Sequence, residues 1–329
     1  MNFVKKLGEG GYGKVDLYEM KGEFVVVKTI ETVNSVAKDN ADREIKILKL
    51  LKRGCEPFFN CLISYKVTAD SAEIITKYIP NTYELYDFLE NNKLPSEYVL
   101  YVMIENLANG LRILHDRYKV VHKDIKPENI LFNPDRLSIN YIDFGTACFV
   151  DDIECIEDFG GTFDHLSPEL MQYIFAGKDP PLTFEKWKAS DIWALGITII
   201  FIATEGVLKN FFHIYGLQKR DFADALAHKT TQKDIDKSLK DLSETSPTNR
   251  LLCEIAWPML QYDWKTRITA SELYNRMIKQ IPNIMITRNL PVGQKLHDIN
   301  SKAAKDITNF VVNPKTKYMG ERKRNKSLF

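Results

Sequence analysis

At 329 residues the chain is long enough for one large domain or two lobes, each with a buried core. Its composition, 44% hydrophobic and 27% charged with a formal net charge of +1, is ordinary for a soluble globular protein and carries no global signal for nucleic acid or membrane. Five scattered cysteines without a CxxC pair argue against a disulfide framework and for a reducing, intracellular and cytoplasmic setting.

The N-terminal MNFVKKLGEG runs straight into motif material, without the apolar core of a signal peptide. Residues 1–30 read as β-structure: a Gly-rich turn, then VDLYEM, a short turn at Lys21-Gly22, and the β-branched run FVVVKTI. Residues 36–52 switch to helical spacing, with Ile45, Leu48 and Leu51 on one face and Gly54 just past the end. CLISYKV and AEIITKYI read as strands, Pro80-Asn81 breaks the pattern, and nearly everything beyond is helical. Strands first and helices later predict an α+β fold, with a small β-rich lobe over 1–79 and a larger, mostly helical lobe over 80–287. The most apolar run, IWALGITIIFIA (192–203), is too short to span a bilayer and reads as a buried core helix. Over 288–329 the periodicity fades and ten Lys/Arg stand against three Asp/Glu, which predicts a basic tail, mobile or docked on the surface.

LGEGGYGKV (7–15) sets Gly8, Gly10 and Gly13 in a G-x-G-x-x-G pattern, where glycines let backbone N–H donors approach phosphates. A dinucleotide-binding fold would need a helix directly afterwards; a strand follows, so the glycines sit in a hairpin covering a ligand. Lys28 ends VVVK, where a cation would project under that loop towards a polyphosphate. Buried on an apolar strand, it needs a carboxylate partner, and Glu44 in the predicted helix is the candidate. In VVHKDIKPENILF (120–132), Asp124, Lys126 and Asn129 share a Pro-interrupted loop, and NYIDFGTA puts Asp143 directly after an apolar strand. Asn129 and Asp143 are suitable hard oxygen ligands for Mg²⁺ bridging phosphates. Asp124 can accept a hydroxyl proton, and Lys126 can neutralise charge on a transferred group.

With motifs in this order from residue 7 to residue 267, the chain resembles the eukaryotic-type protein kinase family. The resemblance extends to Ser167-Pro168-Glu169 where the family has A-P-E, to Asp191-x-Trp193-x-x-Gly196, and to Arg267 in DWKTRIT, which would pair with Glu169. It implies a two-lobed fold and transfer of the ATP γ-phosphate to protein hydroxyls, with Mg²⁺ as metal and Mn²⁺ as a substitute. It also implies a nucleotide site made by Leu7, Gly8, Glu9, Gly10, Gly11, Tyr12 and Gly13 with Val15, Val26, Lys28, Thr76 and Leu131. Lys28, paired with Glu44, would hold the α/β-phosphates; Asp124 would be the base, and Asn129 and Asp143 the metal ligands. Lys126 in D-x-K-P-E-N and Thr162 in GTF resemble the serine/threonine class, and Thr76 falls at the gatekeeper position before the hinge. The chain also bears a passing likeness to kinases of large DNA viruses.

Two classes compete with that reading. A pseudokinase or scaffold would be favoured by replacement of Lys28, Asp124, Asn129 or Asp143, all of which are present. A small-molecule kinase is the other; it shares the Asp/Asn chemistry but would not be expected to carry Ser167-Pro168-Glu169, Asp191-x-Trp193-x-x-Gly196 and Arg267 together. Nucleic-acid binding through YMGERKRNKSLF, whose basic residues are not interleaved with aromatics, could coexist with catalysis.

Lys123 stands where many relatives carry an arginine that grips a phosphorylated loop residue, and it offers a point charge instead of a planar fork. Between Gly145 and Glu169 the hydroxyl residues are Thr146, Thr162 and Ser167, all within motif positions, and the stretch is acidic. This predicts that a carboxylate, Glu157 or Asp158, pairs with Lys123 and holds the loop without phosphorylation. A partner-activated enzyme is the alternative. Cys148 and Cys155, which bracket the acidic stretch, are expected as buried, inert thiols, with redox-sensitive thiols as the alternative. KDPPLTFEKWK, between Glu169 and Asp191, reads as an inserted surface loop. Glu84 and Glu128 point weakly to a substrate with basic residues upstream of its hydroxyl.

Overall fold

A computed structural model describes residues 1–10, 13–55, 57–176, 181–208, 211 and 217–287, with Gly10, Lys219 and the last seven described for backbone alone. Gly11, Tyr12 and the expected basic tail at 288–329 therefore lie outside the described residues.

Strands β1 (Asn2–Gly10), β2 (Gly13–Met20) and β3 (Glu23–Glu31) form an antiparallel meander. Lys21 and Gly22, with φ of 55° and 82°, make the two-residue turn between β2 and β3, whose left-handed backbone matches the twist of the strands. Helix α1 (Ser35–Leu51) follows, capped by Asn34, whose side chain accepts from the Ala37 N–H. Strands β4 (Leu62–Val67) and β5 (Ser71–Lys77) complete a sheet of order β1-β2-β3-β5-β4.

Residues directly opposite in a ladder share a face. Val15 pairs with Lys28, Leu17 with Val26, and Val26 with Thr76, so Val15, Val26, Lys28 and Thr76 line one face. Val25, Val27 and Ile75 form a separate apolar cluster on the other. Helix α1 buries Ala41, Ile45, Leu48 and Leu51, with Glu44 as the one charged residue in that stripe. A buried carboxylate among aliphatics needs a cation, which the opposing face supplies.

The remainder is mostly helical, as the α+β reading expects. It comprises β6 (Tyr83–Glu84), α2 (Leu85–Asn91), α3 (Glu97–Arg112), β7 (Val120–Val121), β8 (Ile130–Asn133), β9 (Ser138–Tyr141) and β10 (Cys148–Phe149). Then come α4 (Ile153–Glu157), α5 (Pro168–Phe175), α6 (Phe184–Ala203), α7 (Lys219–Asp224), α8 (Gln232–Ser243), α9 (Pro247–Ala256) and α10 (Ala270–Thr287). The short strands pair as β6-β8-β9 and β7-β10, which sets the catalytic-loop candidates between β7 and β8. Helix α6 is buried on all sides from Ser190 onward, as the run 192–203 predicts. Among the described residues no helix is long and apolar enough to cross a membrane.

Two expectations are overturned. Cysteines 55 and 61 are disulfide-bonded, as are Cys148 and Cys155, while Cys253 is a buried free thiol. Each pair is brought together by a tight local reversal of the chain, which cysteine spacing alone does not reveal. The case for a reducing compartment rested on the opposite reading and loses its support. KDPPLTFEKWK is not simply a surface loop either. Thr183 caps α6, Phe184 begins it, and Trp187 is fully buried with its Nε1 donating to the Ile156 carbonyl at 2.7 Å. Burial of that indole pulls the second half of the stretch into the core; residues 177–180 lie outside the described set.

Candidate active site

The sheet and the helical lobe meet at Lys28. Its Nζ donates to Glu44 Oε2 at 2.7 Å and Oε1 at 3.0 Å, and to Asp143 Oδ1 at 2.8 Å. Burial alone would drive this ammonium down, but Glu44 and Asp143 outweigh it and hold its pKa above the ordinary lysine value. Burial pushes the Asp143 carboxyl up; Lys28 overrides that and leaves it below the usual range. For Glu44 burial wins over Lys28, and its pKa is raised. One cation thus bridges β3, α1 and Asp143, two residues past β9.

Asp124 is buried and receives three side-chain donors. Thr162 Oγ1 donates to Oδ1 at 2.7 Å, and Lys126 Nζ and Asn129 Nδ2 to Oδ2 at 2.8 and 2.9 Å. Lys126 also donates to Thr162 Oγ1 at 2.7 Å, so the cation, hydroxyl and carboxylate form a closed triangle. Asn129 Nδ2 further donates to the Asp124 carbonyl at 2.8 Å. Both amide hydrogens are then committed, and Oδ1 is the atom left to face a cation. The Asn129 carbonyl accepts from the Ile142 N–H at 3.0 Å, which fixes Asn129 beside Asp143. An amide oxygen and a carboxylate kept ionised fit Mg²⁺, which takes few protein oxygens and completes its shell with phosphates and water.

The loop's backbone is held in an unusual shape. Lys123 and Asp143 have φ of 67° and 61°, the left-handed region that non-glycine residues seldom occupy. Asp191, fully buried, compensates for the first. Its carboxylate accepts the backbone N–H groups of His122 at 2.8 Å and Lys123 at 2.9 Å and meets His115 Nε2 at 2.9 Å. Gly161 lies against this turn with φ of 106°, and a Cβ there would sit 2.5 Å from the Lys123 carbonyl oxygen. Gly13 is equally constrained: at φ 118° a Cβ would meet the Thr29 carbonyl oxygen at 2.2 Å, so the hairpin over the sheet face needs glycine.

Downstream, Glu169 and Arg267 meet as a two-pronged buried pair, with Nη1 to Oε1 at 2.8 Å and Nη2 to Oε2 at 3.0 Å. Lys123 departs from expectation. Its Nζ donates to the carbonyls of Cys155 and Asp158, each at 2.8 Å, and not to the carboxylates of Glu157 or Asp158. It also lies 4.2 Å from the Trp187 ring centre and 3.5 Å from Cys148 Sγ. The reason is reach: the buried ammonium meets backbone at the end of α4, where carbonyl groups lack helical partners. Burial pushes its pKa down to about 7, with the Asp158 charge opposing.

The other described nucleotide-site candidates lie in β1 and β8. Leu7, Gly8, Glu9 and Gly10 lie in β1, and Leu131 in β8 opposite Glu84 of β6. Sequence reasoning missed His165, Asp191 as a backbone anchor, and Trp187. The His165 ring is buried without a hydrogen-bond partner among the described residues, and burial drives its pKa down to about 4. It shares a cavity of about 10 Å³ with Asp124, Thr162 and Ser190. Asp191 had a signal in its D-x-W-x-x-G motif; His165 and Trp187 had none.

The protein kinase domain family matches residues 1–277. A probable serine/threonine-protein kinase of Dictyostelium discoideum is 30% identical over 206 residues, 60% of this chain and 17% of its own length. The carbon catabolite-derepressing protein kinase of Saccharomyces cerevisiae is 27% identical over 60% of this chain and 29% of its own. Mitogen-activated protein kinase kinase 2 of Arabidopsis thaliana is 28% identical over 62% of this chain and 53% of its own. The chain thus spans between about a sixth and just over half the length of these curated relatives.

Proposed function

The chain belongs to the protein kinase domain family, and from that premise we propose that it transfers the γ-phosphate of ATP to serine or threonine hydroxyls of proteins. The observation that carries this is the Asp124–Lys126–Thr162 triangle, set beside Asn129 and Asp143 and across the cleft from Lys28. Val15, Val26 and Thr76 would bound the nucleotide on the sheet face, with Lys28 reaching its phosphates. Asn129 Oδ1 and Asp143 would hold Mg²⁺, which when bound neutralises phosphate charge. Asp124 would orient the acceptor hydroxyl and take its proton, while Lys126 offsets charge on the transferred group. Thr162 in this arrangement supports the serine/threonine class, and the name of the Dictyostelium relative agrees.

The same reading includes activity without a phosphate on the activation segment. Thr146 Oγ1 donates to the His122 carbonyl at 3.2 Å, Thr162 is held by Asp124, and Ser167 is fully buried. Each half-buried threonine is thus engaged in a hydrogen bond within the segment and its loop, and Lys123 already bonds to the segment's carbonyls.

The test is transfer from Mg·ATP to Ser, Thr and Tyr peptide libraries, with Asp143→Ala as control. Transfer confined to Ser/Thr peptides and lost in the variant is expected; transfer to Tyr alone, or equal transfer by the variant, would overturn the proposal. Enrichment of basic residues upstream would support recognition through Glu84 and Glu128.

A further inference from the structure

Helix α4 has five residues, too few to persist without outside help. It sits between β10 and the stretch carrying Gly161 and Thr162, and contacts from five residues hold it. The Cys148–Cys155 disulfide ties it to β10, which pairs with β7 through Cys148 and Val121. The Lys123 ammonium bonds to the Cys155 and Asp158 carbonyls. Trp187 Nε1 and the Tyr173 hydroxyl donate to the Ile156 and Glu157 carbonyls at 2.7 and 3.2 Å. Finally, Arg43 Nε donates to Asp152 Oδ2 at 3.3 Å. Arg43 is the residue before Glu44 on α1, so this last contact links α4 to the helix that presents Glu44 to Lys28.

We propose that the Cys148–Cys155 pair is a thiol–disulfide latch: closed, it holds α4 around Lys123 and keeps α1 in its active position. The latch would occupy the place of an activating phosphate in a segment whose residues from Ala147 to Gly161 include no Ser, Thr or Tyr. The inference rests on the kinase reading for its effect on catalysis, but not for its effect on structure.

Opening requires an external dithiol reductant. One of its thiolates attacks Cys155 Sγ, the S–S bond breaks, and the electron pair leaves on Cys148 Sγ. Cys148 is the favoured leaving sulfur because Lys123 Nζ stands 3.5 Å away and stabilises a thiolate. The reductant's second thiol then displaces Cys155 from the mixed disulfide. Two electrons enter, two protein sulfurs are freed, and the reductant departs as its own disulfide. Closing is the reverse reaction with a low-molecular-weight disulfide. In the open state the ammonium follows the Cys148 thiolate and releases the two carbonyls, α4 loses its terminal support, and Asp152 no longer fixes Arg43. Both sulfurs are buried, so exchange waits on local opening of α4; it is a slow switch.

The experiment uses the full chain purified without reductant, on a Cys55→Ser/Cys61→Ser background so that one disulfide remains. Peptide mapping should find Cys148 linked to Cys155. Amide hydrogen exchange is then followed before and after dithiothreitol. Reduction should accelerate exchange in residues 148–158 and in α1 by at least about tenfold, and reoxidation should restore it. Peptide phosphorylation should fall at least about tenfold on reduction while nucleotide binding persists. A Cys148→Ser/Cys155→Ser variant should behave as the reduced protein and ignore dithiothreitol. Free thiols at both positions, or exchange unchanged by reduction, would overturn the latch. Equal transfer rates in both redox states would overturn its control of catalysis. Absence of transfer in every state would count against the kinase reading alone, because the exchange result still decides the latch.

Discussion

Arg267 offers the most direct test of how the lower lobe is anchored. All five of its guanidinium N–H bonds are used: two reach Glu169, two reach the Gln261 carbonyl and one the Ala189 carbonyl at 2.7 Å. The guanidinium also lies 5.1 Å from the Trp193 ring centre. Arg267→Ala strips a nearly dry carboxylate of its partner, and breaking one side of such a pair costs about 3–5 kcal/mol. At roughly 2–3 °C per kcal/mol for a domain of this size, the melting temperature should fall by about 6–15 °C. Arg267→Lys supplies three donors without the fork and should recover roughly half of the loss. Replacing both partners, as Arg267→Met with Glu169→Met, should cost less than Arg267→Ala alone, because no buried charge is left over. Urea unfolding followed by far-UV circular dichroism and tryptophan fluorescence reads all three. A loss below about 1 kcal/mol for Arg267→Ala would contradict a buried, desolvated pair, since that is the scale of an exposed one.

Other consequences follow from the same contacts. Lys28→Met removes the cation aimed at the phosphates and leaves Glu44 buried without it. Transfer should fall about 10²–10³-fold in a peptide assay and thermal stability should drop as well. Gly161→Ala places a Cβ against the Lys123 carbonyl at a positive φ and should cost about 1–3 kcal/mol by urea unfolding, with reduced transfer. Lys123 has a folded pKa lowered from 10.5 to about 7, so between those values the unfolded chain binds more protons and stability rises with pH. The oxidised protein should gain roughly 2 kcal/mol between pH 7 and pH 9 relative to Lys123→Met. An identical pH slope in the two proteins would contradict a buried, titrating Lys123.

Much of the architecture was legible because it is periodic or local. The β1–β3 meander announces itself through its glycines and β-branched runs, and α1 through its apolar stripe. The buried character of α6 follows from an unbroken run of large aliphatics. Lys28, Glu44 and Asp143 meet as their burial demands, since none can be buried as an ion alone. What stayed hidden depends on contacts across space. Two disulfides form between cysteines whose spacing carries no signature, and Lys123 bonds to carbonyl groups, which every residue possesses. Trp187 looked like part of an insertion because nothing in KDPPLTFEKWK records that Ile156 offers its carbonyl to the indole. His165 shows the same limit, since its lack of a partner is a property of its surroundings.

Phosphoryl transfer at this site should need no phosphate on the activation segment. The measurement that tests it most directly is the initial rate of peptide phosphorylation by oxidised protein before and after exhaustive phosphatase treatment. Intact mass would verify that no phosphate remains. The structure predicts rates that agree within about twofold. Loss of transfer after treatment, with a phosphate mapped between Gly145 and Glu169, would contradict it.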